Sequence, residues 1–251
     1  MTKNNIQLVA FDLDDTLAPS KTPIDSEMMG LLRELLKHKK VAIISGAKLS
    51  QIQKQLPENM PDDVELQNLY LFPTCSSSAF CYDNGWQQMY EETLSDEEKE
   101  KIFAGFEKAF EETGFKKPEN PFGALLEDRR SMVAFSALGQ DAPFELKRPW
   151  DPDGAKRKVI VDALQKHIPD FEARIGGTTS IDVTRRGIDK AHGIRNMEKH
   201  LGIPKHEMFF IGDALFPGGN DYPVKEVGVP SQITSGPEET KRIIAQLLEE
   251  M

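Results

Sequence analysis

The chain has 251 residues, 39% of them hydrophobic and 29% charged, which is typical of a globular protein with one large domain or two smaller ones. Its net charge of −10 argues against a general role in binding nucleic acid or anionic membranes, because both carry negative charge themselves. Cys75 and Cys81 fit no zinc-binding spacing and no apolar run is long enough to cross a bilayer, so we expect a cytoplasmic protein with free thiols.

The first predicted element is a buried strand near the beginning of the chain. Its apolar run, Leu8-Val9-Ala10-Phe11, ends at Asp12, and Asp14 and Thr16 follow at spacings of two. Open α/β sheets bind ligands at the carboxyl ends of their parallel strands, so these three polar side chains are candidates for a site. For this stretch taken alone, the alternative is a solvated acidic turn.

Helices and strands then alternate. An amphipathic helix precedes the apolar run Val41 to Ile44, which ends at Ser45. A helix around Leu49 to Leu56 and a short strand, Leu69 to Phe72, follow. This order is typical of the βαβ units of a parallel sheet.

A β-hairpin over residues 79–90 leads into a segment that does not follow the βαβ pattern. Ser95 and Glu98 form a capping box that opens an acidic helix. Strands are predicted over residues 123–127, 132–138, 174–175 and 181–184. A second helix begins after Asp151-Pro152, and its predicted inward positions are Val159, Ile160, Ala163 and Leu164.

The βαβ pattern returns after this segment, with a helix over residues 190–200, a strand at Met208 to Ile211 and a last helix that begins at Pro237. The predicted fold is therefore α/β, a Rossmann-like parallel-sheet core with an inserted α+β domain. The predicted boundaries are 1–86 and 188–251 for the core and 87–187 for the insert.

Three buried strand signals end in small polar or acidic residues, and this recurrence predicts a magnesium and phosphate site. Asp12 and Asp14 follow the first strand, Ser45 the second and Asp213 the last. Carboxylates suit Mg²⁺, and a substrate phosphate usually completes its coordination. Asp221, in a glycine-rich run, is the next metal candidate, with a turn residue as its alternative.

The residue types also suggest roles. Asp12 is ionised at neutral pH and could attack phosphorus to give an aspartyl-phosphate. Asp14 could exchange protons with the leaving and attacking oxygens, with Thr16 orienting it by a hydrogen bond. Ser45 can donate to a phosphoryl oxygen. Lys190, disfavoured by the dipole at a helix start, is the candidate cation, with a plain surface lysine as its alternative.

Together these motifs resemble those of the haloacid dehalogenase-like phosphotransferase superfamily. The residues that carry this resemblance are Phe11 to Leu17, Ser45, Lys190 and Gly212-Asp213. The insert of about a hundred residues resembles a type IIB cap. Within that class, the runs from Gly212 to Asp221 and from Gly176 to Val183 are most similar to the eukaryotic-type phosphomannomutases.

The resemblance implies further roles. Asp12, Asp14 and Asp213 would surround Mg²⁺, Asp14 through its backbone carbonyl group. Arg129 would hold substrate phosphate, and the run that matches the family in the insert makes Ser180 and Asp182 substrate-binding candidates. The chain departs from the mutases at Gln140, where they have an arginine, and at Arg130-Ser131, where they have Asn-Gly.

Three functions follow as hypotheses. The first is a Mg²⁺-dependent phosphatase for a small phosphorylated metabolite, with sugar phosphates as the expected substrate class. The second is a phosphomannomutase-like hexose-phosphate mutase, and the third is an inactive sensor of a phosphorylated ligand. Because neutral Gln140 would hold a bisphosphate intermediate less well than an arginine, the phosphatase is the sequence-based prediction. Whether the chain forms a homodimer stays open.

Overall fold

The computed structural model describes residues 5–56 and 65–250. The chain divides into two compact units, one of residues 1–91 with 189–251 and one of residues 92–188. The strands are β1 (Leu8–Phe11), β2 (Lys40–Ile44), β3 (Leu69–Phe72), β4 (Ser78–Tyr82), β5 (Trp86–Glu91), β6 (Leu126–Asp128), β7 (Val133–Ser136), β8 (Phe171–Ile175), β9 (Ser180–Arg185), β10 (Met208–Gly212) and β11 (Ser231–Ile233).

The α-helices of the described part of the chain cover both units. They are α1 (Ser26–His38), α2 (Leu49–Gln55), α3 (Asp96–Thr113), α4 (Phe144–Lys147), α5 (Ala155–His167), α6 (Lys190–Leu201), α7 (Tyr222–Glu226) and α8 (Pro237–Glu249). None of them combines the length and the apolar composition that a helix needs to cross a membrane.

The first unit is built on a seven-stranded sheet with the order β11-β10-β1-β2-β3-β4-β5. Five neighbouring strands, from β11 to β3, are parallel, and β4 and β5 extend the sheet antiparallel. In the central register Phe11 pairs with Ile43 on one side and Ile211 on the other. The carboxyl ends of β1, β2 and β10 therefore lie side by side.

Both faces of this sheet are covered, which explains why its strands are continuously apolar. Val9 and Phe11 belong to a core shared with α1, α2 and α8. Leu8 and Ala10, which alternate with them, belong to a second core with α6 and α7. Asp25 caps the beginning of α1, because its side chain accepts a hydrogen bond from the Met28 N–H group.

The second unit has a four-stranded antiparallel sheet with the order β6-β7-β9-β8, on which α3 and α5 pack. The capping box of Ser95 and Glu98 is formed, and α3 ends at Gly114 in the left-handed conformation. In α5 the predicted inward position of Val159 is wrong. Val159 is 55% exposed, and Arg157 is buried instead through its contacts with Asp151 and the residue 176–177 turn.

The boundary between the units differs from the sequence-based one. The sequence pattern places residues 87–91 in the insert, but they form most of β5, which pairs with β4 in the large sheet. The second unit begins at Glu92 and ends at Ile188. The physical reason is that a hairpin is stabilised by its cross-strand pairs, so β5 stays with its partner strand.

Candidate active site

Asp12 occupies the position directly after β1, where the sheet presents it at the carboxyl edge. Its N–H group donates to the carbonyl of Ile211 at 3.0 Å, and its side chain is almost fully buried. The carboxylate accepts hydrogen bonds from Lys190 and, at 3.3 Å, from the Thr16 hydroxyl group. The strand therefore fixes the backbone of Asp12, and two side chains fix its carboxylate.

Lys190 is the first residue of α6 and is only 3% exposed. Asp189 caps the helix by accepting from the His192 N–H group at 2.8 Å. The Lys190 ammonium group donates to both Asp12 and Asp221. Burial opposes the charged form of Lys190, but the two carboxylates outweigh it and raise the pKa of the ammonium group above its ordinary value. A buried, charged lysine thus faces the Asp12 carboxylate.

Asp213 and Asp221 bring two further carboxylates to this edge. Asp213 follows β10, and the fully buried Asp221 accepts from the Ala214 N–H group at 3.0 Å. Asp221 can pack this closely because a Cβ atom at Gly212 would lie 2.3 Å from its Oδ2 atom. Oxygen atoms of Asp12, Asp213 and Asp221 lie within 4.8 Å of one another.

The electrostatics of the cluster fit a divalent cation. Burial raises the pKa of Asp12 well above its usual value despite Lys190, and Asp221 and Asp213 raise it further. Burial, followed by the charges of Asp221 and Asp15, raises the pKa of Asp213 to about 6. Three carboxylates share one ammonium group, so negative charge is in excess. Mg²⁺ would neutralise that excess, and oxygen ligands are the kind it prefers.

The carboxylate of Asp14 is held by other groups than the cluster of Asp12, Asp213 and Asp221. Its Oδ1 atom accepts from the backbone N–H of Lys21 at 2.7 Å and from the side-chain amide of Gln55 at 3.3 Å. The expected Thr16–Asp14 hydrogen bond is not the one formed, because the Thr16 hydroxyl group donates to Asp12. Thr16 follows Asp12 by four residues, and the turn in which the Thr16 N–H group donates to the Leu13 carbonyl brings the two side chains together.

Gln55 is the residue of this site that the sequence reading missed. Its side chain is buried, and the amide group also donates to the Thr22 carbonyl at 2.9 Å. Its position in the sequence could have indicated that it is buried, because Gln55 follows the buried Ile52 by three residues on the inner face of α2. A polar side chain on such a face requires a buried hydrogen-bond partner.

Ser45 lies directly after β2, next to the strand that carries Asp12. Its N–H group donates to the Phe72 carbonyl, and its hydroxyl oxygen accepts from the Ala47 N–H group at 3.0 Å. The hydroxyl proton is not used in that bond. Ser45 can therefore still donate to an anion at the sheet edge.

The remaining candidates belong to the second unit. Arg129 follows β6 and donates to Glu127 at 2.7 Å and to Gln140 at 3.1 Å. Ser180 and Asp182 lie on β9, two residues apart and hence on the same face of the four-stranded sheet. This face is opposite to the apolar one that packs on α3 and α5.

Comparisons with known proteins identify a family. The family model of eukaryotic phosphomannomutase matches residues 28–250. A phosphomannomutase of Saccharomyces cerevisiae is 29% identical over 248 residues, which is 96% of this chain and 93% of that protein. One from Spinacia oleracea is 29% identical over 246 residues, covering 94% of this chain and 93% of its own.

Solved structures support the fold. IMP-bound Plasmodium falciparum IMP-nucleotidase superimposes with a TM-score of 0.72 at 20% identity, over 99% of this chain and 69% of that one. A haloacid dehalogenase-like hydrolase from Bacteroides thetaiotaomicron gives a TM-score of 0.63 at 14% identity, over 96% of this chain and 99% of that one. The predicted α/β fold, a Rossmann-like core with an inserted domain, is therefore confirmed.

The phosphatase prediction is wrong. The family model and the curated relatives are phosphomannomutases, which favours the mutase alternative. The argument from Gln140 failed because it gave one missing charge more weight than the similarity of the rest of the chain to the mutases.

Proposed function

Because this chain belongs to the eukaryotic phosphomannomutase family, we propose that it is a Mg²⁺-dependent mutase that moves phosphate between the 1- and 6-positions of a hexose. The observation that carries the proposal is the extent of the match. It runs from residue 28 to residue 250 and so includes Lys190, Asp213, Asp221 and the whole second unit. The substrate named for the relatives, a mannose phosphate, is the substrate proposed here.

In the first half-reaction, an Asp12 oxygen attacks a phosphoryl group of a hexose bisphosphate. A bond forms between that oxygen and phosphorus, and the bond from phosphorus to the sugar oxygen breaks. Asp14, once its carboxylate turns away from Lys21 and Gln55, gives the leaving oxygen its proton. Lys190, buried against Asp12, and Ser45 stabilise the negative charge on the transferred group.

In the second half-reaction, the sugar monophosphate presents its other hydroxyl group to phospho-Asp12. Asp14 removes the hydroxyl proton as the sugar oxygen bonds to phosphorus and the bond to Asp12 breaks. In the second unit, Arg129, Ser180 and Asp182 bind sugar phosphate, since arginine offers a fork for phosphate and Asp182 can accept from sugar hydroxyl groups.

Asp12, Asp213 and Asp221 would hold the metal ion. When bound, Mg²⁺ withdraws negative charge from the phosphoryl oxygens. Asp221 also has a task that does not need the metal, because it pairs with Lys190 and keeps the ammonium group directed into the site. As a further part of the proposal, the enzyme acts in the cytoplasm, where Cys75 and Cys81 stay reduced, as they are in the structure.

The test is a product ratio. The purified protein is incubated with mannose 1-phosphate, Mg²⁺ and a catalytic amount of glucose 1,6-bisphosphate, and mannose 6-phosphate and free phosphate are measured together. We expect mannose 6-phosphate to form much faster than free phosphate, and Asp12→Asn to abolish both signals. Free phosphate as the main product would contradict the mutase proposal.

A further inference from the structure

Gln140 lies at the centre of a hydrogen-bonded group in the second unit. Its Oε1 atom accepts from the Nη2 atom of Arg129 at 3.1 Å, and its Nε2 atom donates to the Ala134 carbonyl at 3.2 Å. Its backbone N–H donates to the carbonyl of Ala124 at 3.0 Å. Both ends of the side-chain amide and the backbone are therefore engaged, which fixes the position of Oε1.

The same residue also holds a second cation. The carbonyl oxygen of Gln140 accepts from the Lys147 ammonium group at 2.9 Å, and Lys147 is buried. Arg129 and Lys147 thus both bond to one neutral residue. A cation at position 140 would repel both of them, whereas the amide oxygen and the carbonyl oxygen attract them.

Arg129 is held from two sides by this arrangement. Its side chain is one-tenth exposed, and its Nε atom donates to Glu127 at 2.7 Å while Nη2 donates to Gln140. Glu127 and Ala134 are paired residues of β6 and β7, so one acceptor of Arg129 and the anchor of Gln140 belong to one strand pair. The plane of the guanidinium group is defined by Glu127, which lies on β6, and by Gln140, whose side chain is anchored to β7.

We propose that Gln140 is a positioning residue that orients the Arg129 guanidinium group for a sugar phosphate. This inference rests on the proposed function, in which Arg129 binds substrate phosphate. Gln140 acts through Arg129 and need not touch the ligand itself. A misdirected guanidinium group loses one of its two bonds to phosphate, so the expected loss of affinity is about tenfold.

The test is a double-mutant cycle on ligand binding. Gln140→Met keeps the length of the side chain and removes the acceptor, Arg129→Met removes the donor, and the double variant removes both. Calorimetry with mannose 1-phosphate and with glucose 1,6-bisphosphate, together with KM and kcat of the mutase assay, is the readout. Gln165→Met is the matched control, because the Gln165 amide also bridges backbone groups of the second unit, Ile168 and Phe171.

We expect Gln140→Met to weaken binding and raise KM about tenfold while kcat changes little, and to have no further effect once Arg129 is Met. An equal effect of Gln140→Met in both backgrounds would overturn the inference, as would a loss no larger than that of Gln165→Met at equal thermal stability. Gln140→Asn, whose amide is one carbon too short for both partners, replaces the Met variant if the latter does not fold.

These results separate the two proposals. A wild-type protein that binds the ligands but yields no mannose 6-phosphate contradicts the proposed function, while the binding cycle still decides the role of Gln140. If the wild-type protein forms mannose 6-phosphate and Arg129→Met does not weaken binding, the positioning role is overturned and the mutase proposal stands.

Discussion

Lys190 donates a hydrogen bond to Asp221, and both residues are buried at the beginning of a helix, Lys190 as the first residue of α6 and Asp221 directly before α7. The pair therefore joins two helices on the same face of the sheet. It also leaves Lys190 within reach of Asp12. Removing Lys190 would leave the buried carboxylates of Asp12 and Asp221 without their counter-charge, so this contact serves both stability and the site.

We expect Lys190→Met to destabilise the metal-free protein. The free energy of unfolding in EDTA should fall by about 3–5 kcal/mol, because Asp12 and Asp221 lose their buried counter-charge. Mg²⁺ should recover part of this loss by binding the folded state. Urea unfolding with and without Mg²⁺ measures both effects. Lys205→Met, at a partly exposed pair with Glu198, is the control, and equal stability of the two variants would disprove the expectation.

Asp12→Asn should abolish turnover and leave the fold intact. The amide has nearly the shape of the carboxylate but is a poor nucleophile, so we expect kcat to fall at least about a thousandfold. Mass spectrometry after rapid acid quenching should find a phosphorylated peptide containing residue 12 in the wild-type protein and none in the variant. Retention of more than a few per cent of activity would count against covalent catalysis through Asp12.

Removal of Mg²⁺ with EDTA should abolish activity. Substitution of the other two carboxylates of the cluster, Asp213 and Asp221, should have different effects. Asp213→Ala should mainly raise the Mg²⁺ concentration that gives half-maximal rate. Asp221→Ala should mainly lower stability, because Asp221 bonds to Lys190 and to the Ala214 N–H group. Titrations with Mg²⁺ and thermal unfolding of both variants check this, and a reversed order would show that the two roles are exchanged.

The Glu98–Arg185 pair should make stability depend on pH below about 4.5. The hydrogen bond from Arg185 is the main cause that lowers the pKa of Glu98 to about 2 in the folded protein. A lowered pKa stabilises the fold above the unfolded-state pKa, and this stabilisation is lost as pH falls toward 2. Glu98→Gln keeps the capping box and should lower the free energy of unfolding at pH 6 by about 1–2 kcal/mol. The value is modest because the pair is partly exposed.

Urea unfolding of the wild-type protein and of Glu98→Gln between pH 6 and pH 3 is the measurement. The difference between them should shrink as pH falls through this range. A difference that stays constant with pH would rule out the linkage.

Asp151→Asn should destabilise the second unit strongly. Asp151 accepts from the Arg157 side chain and from the backbone N–H groups of Lys156 and Arg157, and it is buried. Breaking a buried ion pair costs about 3–5 kcal/mol, whereas the exposed pair of Lys158 and Asp162 should be worth less than about 1 kcal/mol. Asp162→Asn is therefore the matched control, and equal thermal midpoints would refute this reading of Arg157.

The sequence predicted the parts of the site that depend on strand ends. An apolar run followed by a carboxylate placed Asp12 and Asp213 at the edge of the sheet, because continuous burial of the strand and parallel pairing leave little choice of position. The capping box of Ser95 and Glu98 could be predicted for a similar reason, since it depends on four consecutive residues.

The parts that were missed depend on side-chain hydrogen bonds between residues of different elements and turns. Gln140 was read as an absent charge, but its carbonyl and amide oxygens accept from Lys147 and Arg129. Val159 was predicted to face inward from periodicity, yet the buried pair of Arg157 and Asp151 shows which face of α5 turns toward the sheet. Side-chain hydrogen bonds of this kind leave no periodic signal.

The pairing of β1 with β10 has a consequence for synthesis of the chain. Leu8 pairs with Met208, so one edge of β1 has no partner until the ribosome has passed residue 212. The second unit, by contrast, is a continuous segment that can fold as soon as it has emerged. Newly made chains therefore carry an apolar strand edge without its partner until β10 has been made, and Asp12 meets Lys190, Asp213 and Asp221 only after the second unit has been synthesised.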